Sequence, residues 1–253
     1  MVNILLCGAG GKMGQAVINA VKTRDNVNII CGVDPFGAAS AEFPVYESFS
    51  DVRETPDVII DFSNPASFDD IKAYVEATKT PVVLCTTGFS DEQKEEMKKL
   101  SEVAPVFFSG NMSLGVNLLV ELSKKAAAVL GSSFDIEIVE KHHNQKVDAP
   151  SGTAYMIADG ISDVLANEPQ YVYDRHAYRM KRNKNEIGIH AVRGGTIVGE
   201  HEVIFAGNDE VLTITHQAQS KALFATGAIS AAIYMADRDA GFYNMVDVLS
   251  DVL

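Results

Sequence analysis

Three features of the sequence predict an α/β protein, built from a doubly wound parallel-sheet domain and a smaller α+β domain with an open sheet. Short apolar strand-like runs alternate with helical periodicity from the N-terminus to about residue 112. A glycine cluster, Gly8-Ala9-Gly10-Gly11-Lys12-Met13-Gly14, lies directly between the first strand and the first helix. From residue 134 the pattern changes to apolar–polar alternation, which marks a half-buried sheet. The expected domains are 1–112 with 223–253, and 113–222 between them.

Val2 to Cys7 is a short apolar run suited to a buried parallel strand. After the glycines, Met13, Ala16, Val17, Ala20 and Val21 fall on one helical face. Strand, glycine turn and helix together form the setting of a Rossmann-type dinucleotide fingerprint. The third glycine, Gly14, comes one position late, with Met13 in the usual place. The run Val27 to Val33 ends in Asp34, about 20 residues past the glycine turn, where an acid can accept hydrogen bonds from the ribose of NAD. Pro35 and Phe36 offer no cation for a 2′-phosphate, although Lys12 can supply one. NADH is therefore expected to be favoured, with NADPH tolerated.

The rhythm continues. Asp57–Phe62 is a strand, and Ser63 or Asn64 can cap a helix from Pro65. Pro81–Cys85 is a strand ending in Thr86-Thr87-Gly88. Ser90 and Gln93 have capping-box spacing for a helix to Val103, and Pro105–Phe108 is a strand followed by Ser109-Gly110-Asn111-Met112. In a doubly wound sheet ligands lie at the carboxyl ends of the strands. The segments after these strands are accordingly expected to line the nicotinamide half of a cofactor.

A helix is expected over Ser113–Leu130, then alternating strands at Phe134–Lys141, Glu186–Arg193, Thr196–Phe205 and Val211–His216. Gly194-Gly195 and Gly207-Asn208-Asp209 read as turns of antiparallel hairpins. The sheet is expected to leave one apolar face open, which favours pairing with further copies of the chain. The basic stretch from Asn167 to Lys184 reads as a solvated loop. An apolar helix over Ala222–Ala236 and a closing element over Phe242–Leu249 are expected to pack back on the nucleotide domain.

Between strand and helix lies Glu140-Lys141-His142-His143-Asn144-Gln145-Lys146-Val147-Asp148-Ala149-Pro150-Ser151-Gly152-Thr153-Ala154. Ser151 is the expected N-cap, with Ala154, Ile157, Ala158, Ile161, Val164 and Leu165 at helical spacing. A helix N-terminus presents N–H groups and partial positive charge, so Gly152 and Thr153 can hold a carboxylate. His142, His143 and Lys146 converge beside that anion clamp, which suits binding and protonating an acidic substrate.

The chain of 253 residues carries a formal net charge of −13, which argues against nucleic-acid binding and confines any attraction for an anionic substrate to a local basic patch. No apolar run approaches the ~20 residues that span a bilayer, and Met1 to Leu6 looks like a first strand, so a cytoplasmic protein is expected. The three cysteines, Cys7, Cys31 and Cys85, lie in apolar runs without CxxC spacing and read as reduced, buried thiols. No metal centre is expected.

These motifs together resemble the 4-hydroxy-tetrahydrodipicolinate reductase (dihydrodipicolinate reductase) family over essentially the whole chain. The most specific part is Glu140-x-His142-His143-x-x-Lys146-x-Asp148-x-Pro150-Ser151-Gly152-Thr153-Ala154. Thr86-Thr87-Gly88-Phe89, Val192-Arg193-Gly194-Gly195-x-Ile197-Val198-Gly199-Glu200-His201 and the glycine turn, including its late third glycine, also resemble the family pattern. The resemblance implies a Rossmann-type doubly wound parallel-sheet domain plus a smaller α+β substrate domain with an open mixed sheet, and NAD(P)H-dependent reduction of a cyclic imine dicarboxylate to tetrahydrodipicolinate in the diaminopimelate route of lysine biosynthesis, by a homotetramer. It implies that His142 and Lys146 are the proton donor/acceptor pair and that His143, Gly152 and Thr153 bind substrate carboxylates. It also implies cofactor contacts from Gly8, Ala9, Gly10, Gly11, Lys12, Met13, Asp34, Cys85, Thr86, Thr87, Ser109, Gly110, Asn111 and Met112. Two departures are Cys85, where a glycine is common, and the missing basic residue after Asp34; both bear on cofactor fit. Two alternatives are another imine- or amino-acid-directed NAD(P) oxidoreductase, such as an aspartate dehydrogenase, and a non-catalytic dinucleotide sensor.

Overall fold

Strand β1 (Val2–Cys7) is an interior strand of a seven-stranded sheet, and its Ile4, Leu5 and Leu6 are fully buried. Each such side chain contributes about 1.5–3 kcal/mol of burial. The computed structural model describes residues 1–37, 41–177 and 179–251. It divides into two units, Met1–Ser113 with Ala222–Leu253, and Leu114–Lys221.

In the first unit, α1 (Lys12–Val21) follows β1, then β2 (Val27–Val33), β3 (Val45–Tyr46), β4 (Val58–Asp61), α2 (Phe68–Thr78), β5 (Val82–Leu84), α3 (Asp91–Leu100) and β6 (Pro105–Phe108). The C-terminal segment adds α6 (Ala222–Met235), β12 (Gly241–Tyr243) and α7 (Met245–Ser250), numbered after the second unit's elements. All strands are parallel, in the order β12-β6-β5-β4-β1-β2-β3. The order reverses between β1 and β4, the switch point at which an open α/β sheet binds ligands. Asn64 caps a 3-10 turn at Pro65–Ser67 ahead of α2. Ser90 and Gln93 form the capping box of α3. That helix stops at Leu100, short of Val103, because its last buried contact is Leu100 and Val103 is exposed. Small residues bring α6 close to the sheet: a Cβ on Gly227 would lie 1.7 Å from the Met112 carbonyl oxygen. Cys7, Cys31 and Cys85 are free and buried, and burial raises all three thiols, that of Cys31 to about 12. None is a ready nucleophile.

The second unit contains α4 (Leu114–Leu130), β7 (Asp135–His142), α5 (Gly152–Ser162), β8 (Gln170–Val172), β9 (Glu186–Arg193), β10 (Gly199–Ala206) and β11 (Val211–Ala218). Its sheet runs β11-β10-β7-β9-β8. The hairpin expected over Gly207-Asn208-Asp209 joins β10 to antiparallel β11. The hairpin expected over Gly194-Gly195 does not form. Strand β9 pairs with β7 in parallel, β10 pairs with β7 on its other side, and the segment 194–198 crosses the end of β7. The Gly194 N–H donates to the His142 carbonyl (2.9 Å) and the Asn144 N–H to the Gly195 carbonyl (3.2 Å) along this crossing. Alternation dictates which face of a strand is apolar but not which strand is its neighbour.

Ile136, Ile138, Ile187, Ile189, Val203 and Phe205 point from the sheet onto α4 and α5. Helix α5 ends at Ser162; Leu165 still packs on this core while Val164 is exposed. The opposite face is not the apolar surface that alternation suggested. By register it mixes Val139, Val192, Ile204 and Val211, of which Val192 and Val211 are exposed, with Glu137, Lys141, His190, Glu200, Glu202, Thr213 and Thr215. The basic stretch is likewise not a free loop. Arg182 donates to Asp135 (2.9 Å), Glu137 (2.9 Å) and the Ile136 carbonyl (3.0 Å), and Arg175 to Glu137 (2.6 Å) and Glu186 (2.7 Å). Tyr178 lies outside the described residues. Among the described residues no helix is long and apolar enough to cross a membrane.

Candidate active site

In the first unit the glycine turn is built by close backbone approach. Gly8 has φ +75°, and a Cβ there would stand 2.6 Å from the Phe62 carbonyl oxygen at the end of β4. A Cβ on Gly14 would lie 2.2 Å from the Gly8 oxygen, so the late glycine lets α1 pack onto its own loop. Gln15 Nε2 donates to the Ala9 carbonyl (2.9 Å) and pins the turn. Gly11 is the N-cap of α1, no side chain caps its N–H groups, and no acidic residue occupies its first turn. This helix end suits a pyrophosphate.

Asp34, 7% exposed, ends β2 beside the turn. Its Oδ2 accepts from the Gly10 N–H (2.9 Å) and its Oδ1 from the Phe36 N–H (2.9 Å). A cavity of about 300 Å³ at this edge is lined by Gly8, Gly11, Asp34, Phe36, Glu47 and Asn64 among others. The residues present therefore fit a dinucleotide: free amide donors, glycines that admit close approach, and an anchored carboxylate. Thr86, Thr87, Ser109, Gly110 and Asn111 follow β5 and β6 at the same carboxyl edge. Ser109 Oγ donates to the Asn111 carbonyl (3.0 Å), and Asn111 Oδ1 accepts from the Ser113 N–H (2.8 Å), so this loop is internally braced. The side chains of Cys85, Ala9 and Met112 are buried. The Cys85 Sγ donates to the Val83 carbonyl at 3.8 Å.

In the second unit His142 ends β7 and is 9% exposed, while His143, Lys146 and Thr153 are half-buried and Gly152 is exposed. Ser151 caps α5, accepting from the Ala154 N–H at 3.2 Å, and nothing lies within 4 Å of a Cβ on Gly152. The clamp at the start of α5 is thus open on that side. Lys146 pairs with Asp148 at 2.8 Å, a contact the sequence reading did not foresee. The Lys146 ammonium holds the Asp148 carboxyl below its ordinary range.

Sequence reasoning also assigned no role to Glu140, Arg193 or His201. Glu140 is fully buried and accepts from Arg193 Nη1 (2.7 Å), Arg193 Nη2 (2.7 Å) and the Ser151 N–H (3.0 Å). His142 Nδ1 stands 2.6 Å from Glu140 Oε2. Burial alone pushes the Glu140 carboxyl up; the bonds from Arg193, His142 and Ser151 outweigh it and hold the group below the usual carboxylate range. His201 contacts Ser151 Oγ through Nε2 (3.0 Å) and meets the His142 ring edge-on at 5.2 Å. The signal that could have found Glu140 was its register: it shares a strand face with His142.

The residues of the first half, 2–112, match the family model described as "Dihydrodipicolinate reductase, N-terminus", and residues 115–249 match "Dihydrodipicolinate reductase, C-terminus". The chain belongs to the dihydrodipicolinate reductase family. A 4-hydroxy-tetrahydrodipicolinate reductase of Caldanaerobacter subterraneus subsp. tengcongensis is 48% identical over 249 residues, covering 98% of both chains. One from Clostridium novyi is 45% identical over the same length, again covering 98% of each. A solved dipicolinate-bound dihydrodipicolinate reductase from Paenisporosarcina sp. TG-14 superposes with a TM-score of 0.80 at 26% identity, covering 96% of this chain and 97% of that one. A C. glutamicum DAP dehydrogenase shares the fold alone, with a TM-score of 0.57 at 10% identity. As a dihydrodipicolinate reductase family member the chain is an NAD(P)H-dependent oxidoreductase, and its nucleotide-binding half is the N-terminal model.

One pH dependence follows for this family member. Burial, reinforced by the neighbouring His142, holds the His201 pKa down to about 4, whereas an unfolded histidine titrates near ~6.5. Below ~6.5 the unfolded chain takes up a proton that folded His201 refuses. Its contribution to stability is complete above ~6.5 and is lost as pH falls toward about 4. The slope reaches at most ~1.4 kcal/mol per pH unit. Thermal unfolding at pH 7 and pH 4.5 is expected to show a smaller loss of Tm in His201→Gln than in the parent. Equal losses would remove His201 from the account.

Proposed function

We propose that this chain reduces 4-hydroxy-tetrahydrodipicolinate (dihydrodipicolinate) to tetrahydrodipicolinate with NADH or NADPH, the reductive step of the diaminopimelate route to lysine. The observation that carries this reading is the unbroken Glu140–Thr153 stretch folded as an anion clamp beside imidazoles and an amine, in a chain matched to the family along both halves. The N–H groups of Gly152 and Thr153, with His143, hold the substrate carboxylates. A nicotinamide cofactor, when bound, would supply the hydride that reduces the conjugated imine. The electron pair displaced onto the substrate then requires a proton, which His142 and Lys146 hold as donor/acceptor pair. The Lys146 side chain carries N–H donors and no acceptor when it bears its charge, and can serve as the acid. Asp148 keeps its ammonium oriented at 2.8 Å.

Cofactor residues are assigned as Gly8 to Met13, Asp34, Cys85 to Thr87 and Ser109 to Met112. NADH is favoured over NADPH. Asp34, Glu47 and Asp70 line one cavity, and its described lining includes no lysine or arginine to receive a 2′-phosphate. The deciding assay follows oxidation of each cofactor with the dicarboxylate generated by the preceding synthase. Oxidation that requires the synthase product, with the lower Michaelis constant for NADH, is expected. No turnover by folded protein that binds NADH would refute the reaction, and strict NADPH dependence would refute the preference.

The working form is a cytoplasmic homotetramer. The free face of the second unit's sheet supports it: Val139 and Ile204 lie among paired Glu, Lys, His and Thr positions suited to a polar-rimmed contact. Light scattering should return about four times the 27.3 kDa chain mass, and a single-chain mass would count against the tetramer.

A further inference from the structure

We propose that the buried Glu140–Arg193 pair sets the tautomer of His142, holding the ring proton on Nδ1 and leaving Nε2 as the atom through which the ring exchanges protons with substrate. This inference rests on the proposed role of His142 and adds two positioning residues to it.

The geometry begins with the strands. His142 and Arg193 are register partners at the ends of parallel β7 and β9, and Glu140 sits two residues back on the same face as His142. Arg193 Nη1 and Nη2 each bond one Glu140 oxygen at 2.7 Å, a two-pronged contact that only a guanidinium makes. The same two nitrogens also donate to the Val192 carbonyl (2.8 Å, from Nη1) and the Asp148 carbonyl (2.6 Å, from Nη2), so each Nη is held by two acceptors. Glu140 Oε1 is completed by the Ser151 N–H (3.0 Å), leaving Oε2 to face His142 Nδ1 at 2.6 Å.

An arginine has only donors, so the carboxylate it grips has no proton of its own to offer. Of the two atoms in the 2.6 Å contact, Nδ1 is therefore the donor. In the neutral ring Nε2 then carries a lone pair. Among the described residues no hydrogen bond from the protein reaches Nε2, and its flank is Gly199, where a Cβ would stand 3.1 Å away. The charged and titratable groups that contact the ring or its partners are Glu140 on β7, Arg193 on β9 and His201 on β10. The guanidinium gives Glu140 a permanent counter-charge through two contacts of 2.7 Å.

Nitrogen-15 spectra of histidine-labelled, substrate-free protein at pH 8.5 test this directly, with His142→Asn assigning the signals. In the parent, His142 should show a protonated Nδ1 and an unprotonated Nε2. Glu140→Gln, which keeps the shape but removes the charge, should give a mixed or reversed tautomer. It should also lower kcat about 10- to 100-fold, up to the low end of what a positioned proton donor supplies. The KM for NADH should stay unchanged. Arg193→Lys should restore part of the loss seen in Arg193→Met, since the charge returns without the fork. A protonated Nε2 in the parent would overturn the proposal. So would a folded Glu140→Gln that retains both the parent tautomer and the parent kcat. The tautomer reading needs no substrate. A parent protein that fails to reduce the dicarboxylate would sink the proposed reaction while the spectra still decide the role of Glu140 and Arg193.

Discussion

Lys146→Ala is expected to turn over at least ~100-fold more slowly than the parent, the low end for loss of a positioned general acid. Its fold should be unaffected. Lys146 is half-buried in a loop and its ion-pair partner Asp148 is half exposed, so the pair contributes at most ~1 kcal/mol to stability. A Tm near that of the parent combined with a large fall in kcat separates chemistry from folding. His142→Ala should lose a comparable factor. There the buried Glu140 keeps its Arg193 and Ser151 donors, so the carboxylate is not left bare in the core. Near-normal turnover in either variant would refute the assignment of that residue.

Gly14→Ala is expected to damage the nucleotide site and the fold together. The added Cβ would lie 2.2 Å from the Gly8 oxygen and 2.8 Å from both Cα and O of Ala9. All three are backbone atoms, so no side chain can swing aside, and α1 must back away from the turn it caps. Overpacking of this kind costs about 1–3 kcal/mol. Displacing the helix N-terminus from the glycine turn should weaken NADH binding at least ~10-fold, equivalent to about 1.4 kcal/mol. Gly194→Ala is the control, since nothing lies within 4 Å of a Cβ there and no cofactor contact is assigned to that position. It should stay within ~0.5 kcal/mol of the parent. Calorimetric titration with NADH and a thermal melt on both variants test the pair; equal behaviour would show that the Gly14 contact is relieved without cost.

The first unit was readable from the chain almost element by element, because its strands are buried on both faces and appear as short apolar runs between cap and turn signals. Ser90 with Gln93 and Asn64 before Pro65 are local devices, written within a few residues and satisfied within a few residues. The glycine turn was also visible, but the reason for its late third glycine was not. That reason is the 2.2 Å approach to Gly8, a distance between atoms that a string of residues does not carry.

The second unit was legible only in part. Periodicity predicted its strands and their apolar faces, and Ser151 as the cap of α5. The neighbours of those strands were misread, since the Gly194-Gly195 segment carries β10 across β7 instead of folding it against β9. The basic stretch looked solvated because the acids that neutralise Arg175 and Arg182 lie on strands distant in the chain.

By itself, then, the sequence determined the α/β class, the nucleotide turn and the cluster of His142, His143 and Lys146 at a helix start, since each depends on contacts between near neighbours. The tertiary structure alone decided that Arg193 meets Glu140 and that Glu140 meets His142 Nδ1 in a buried network. That arrangement exists because β9 lies parallel beside β7, and strand order is set by how whole faces pack rather than by any local pattern.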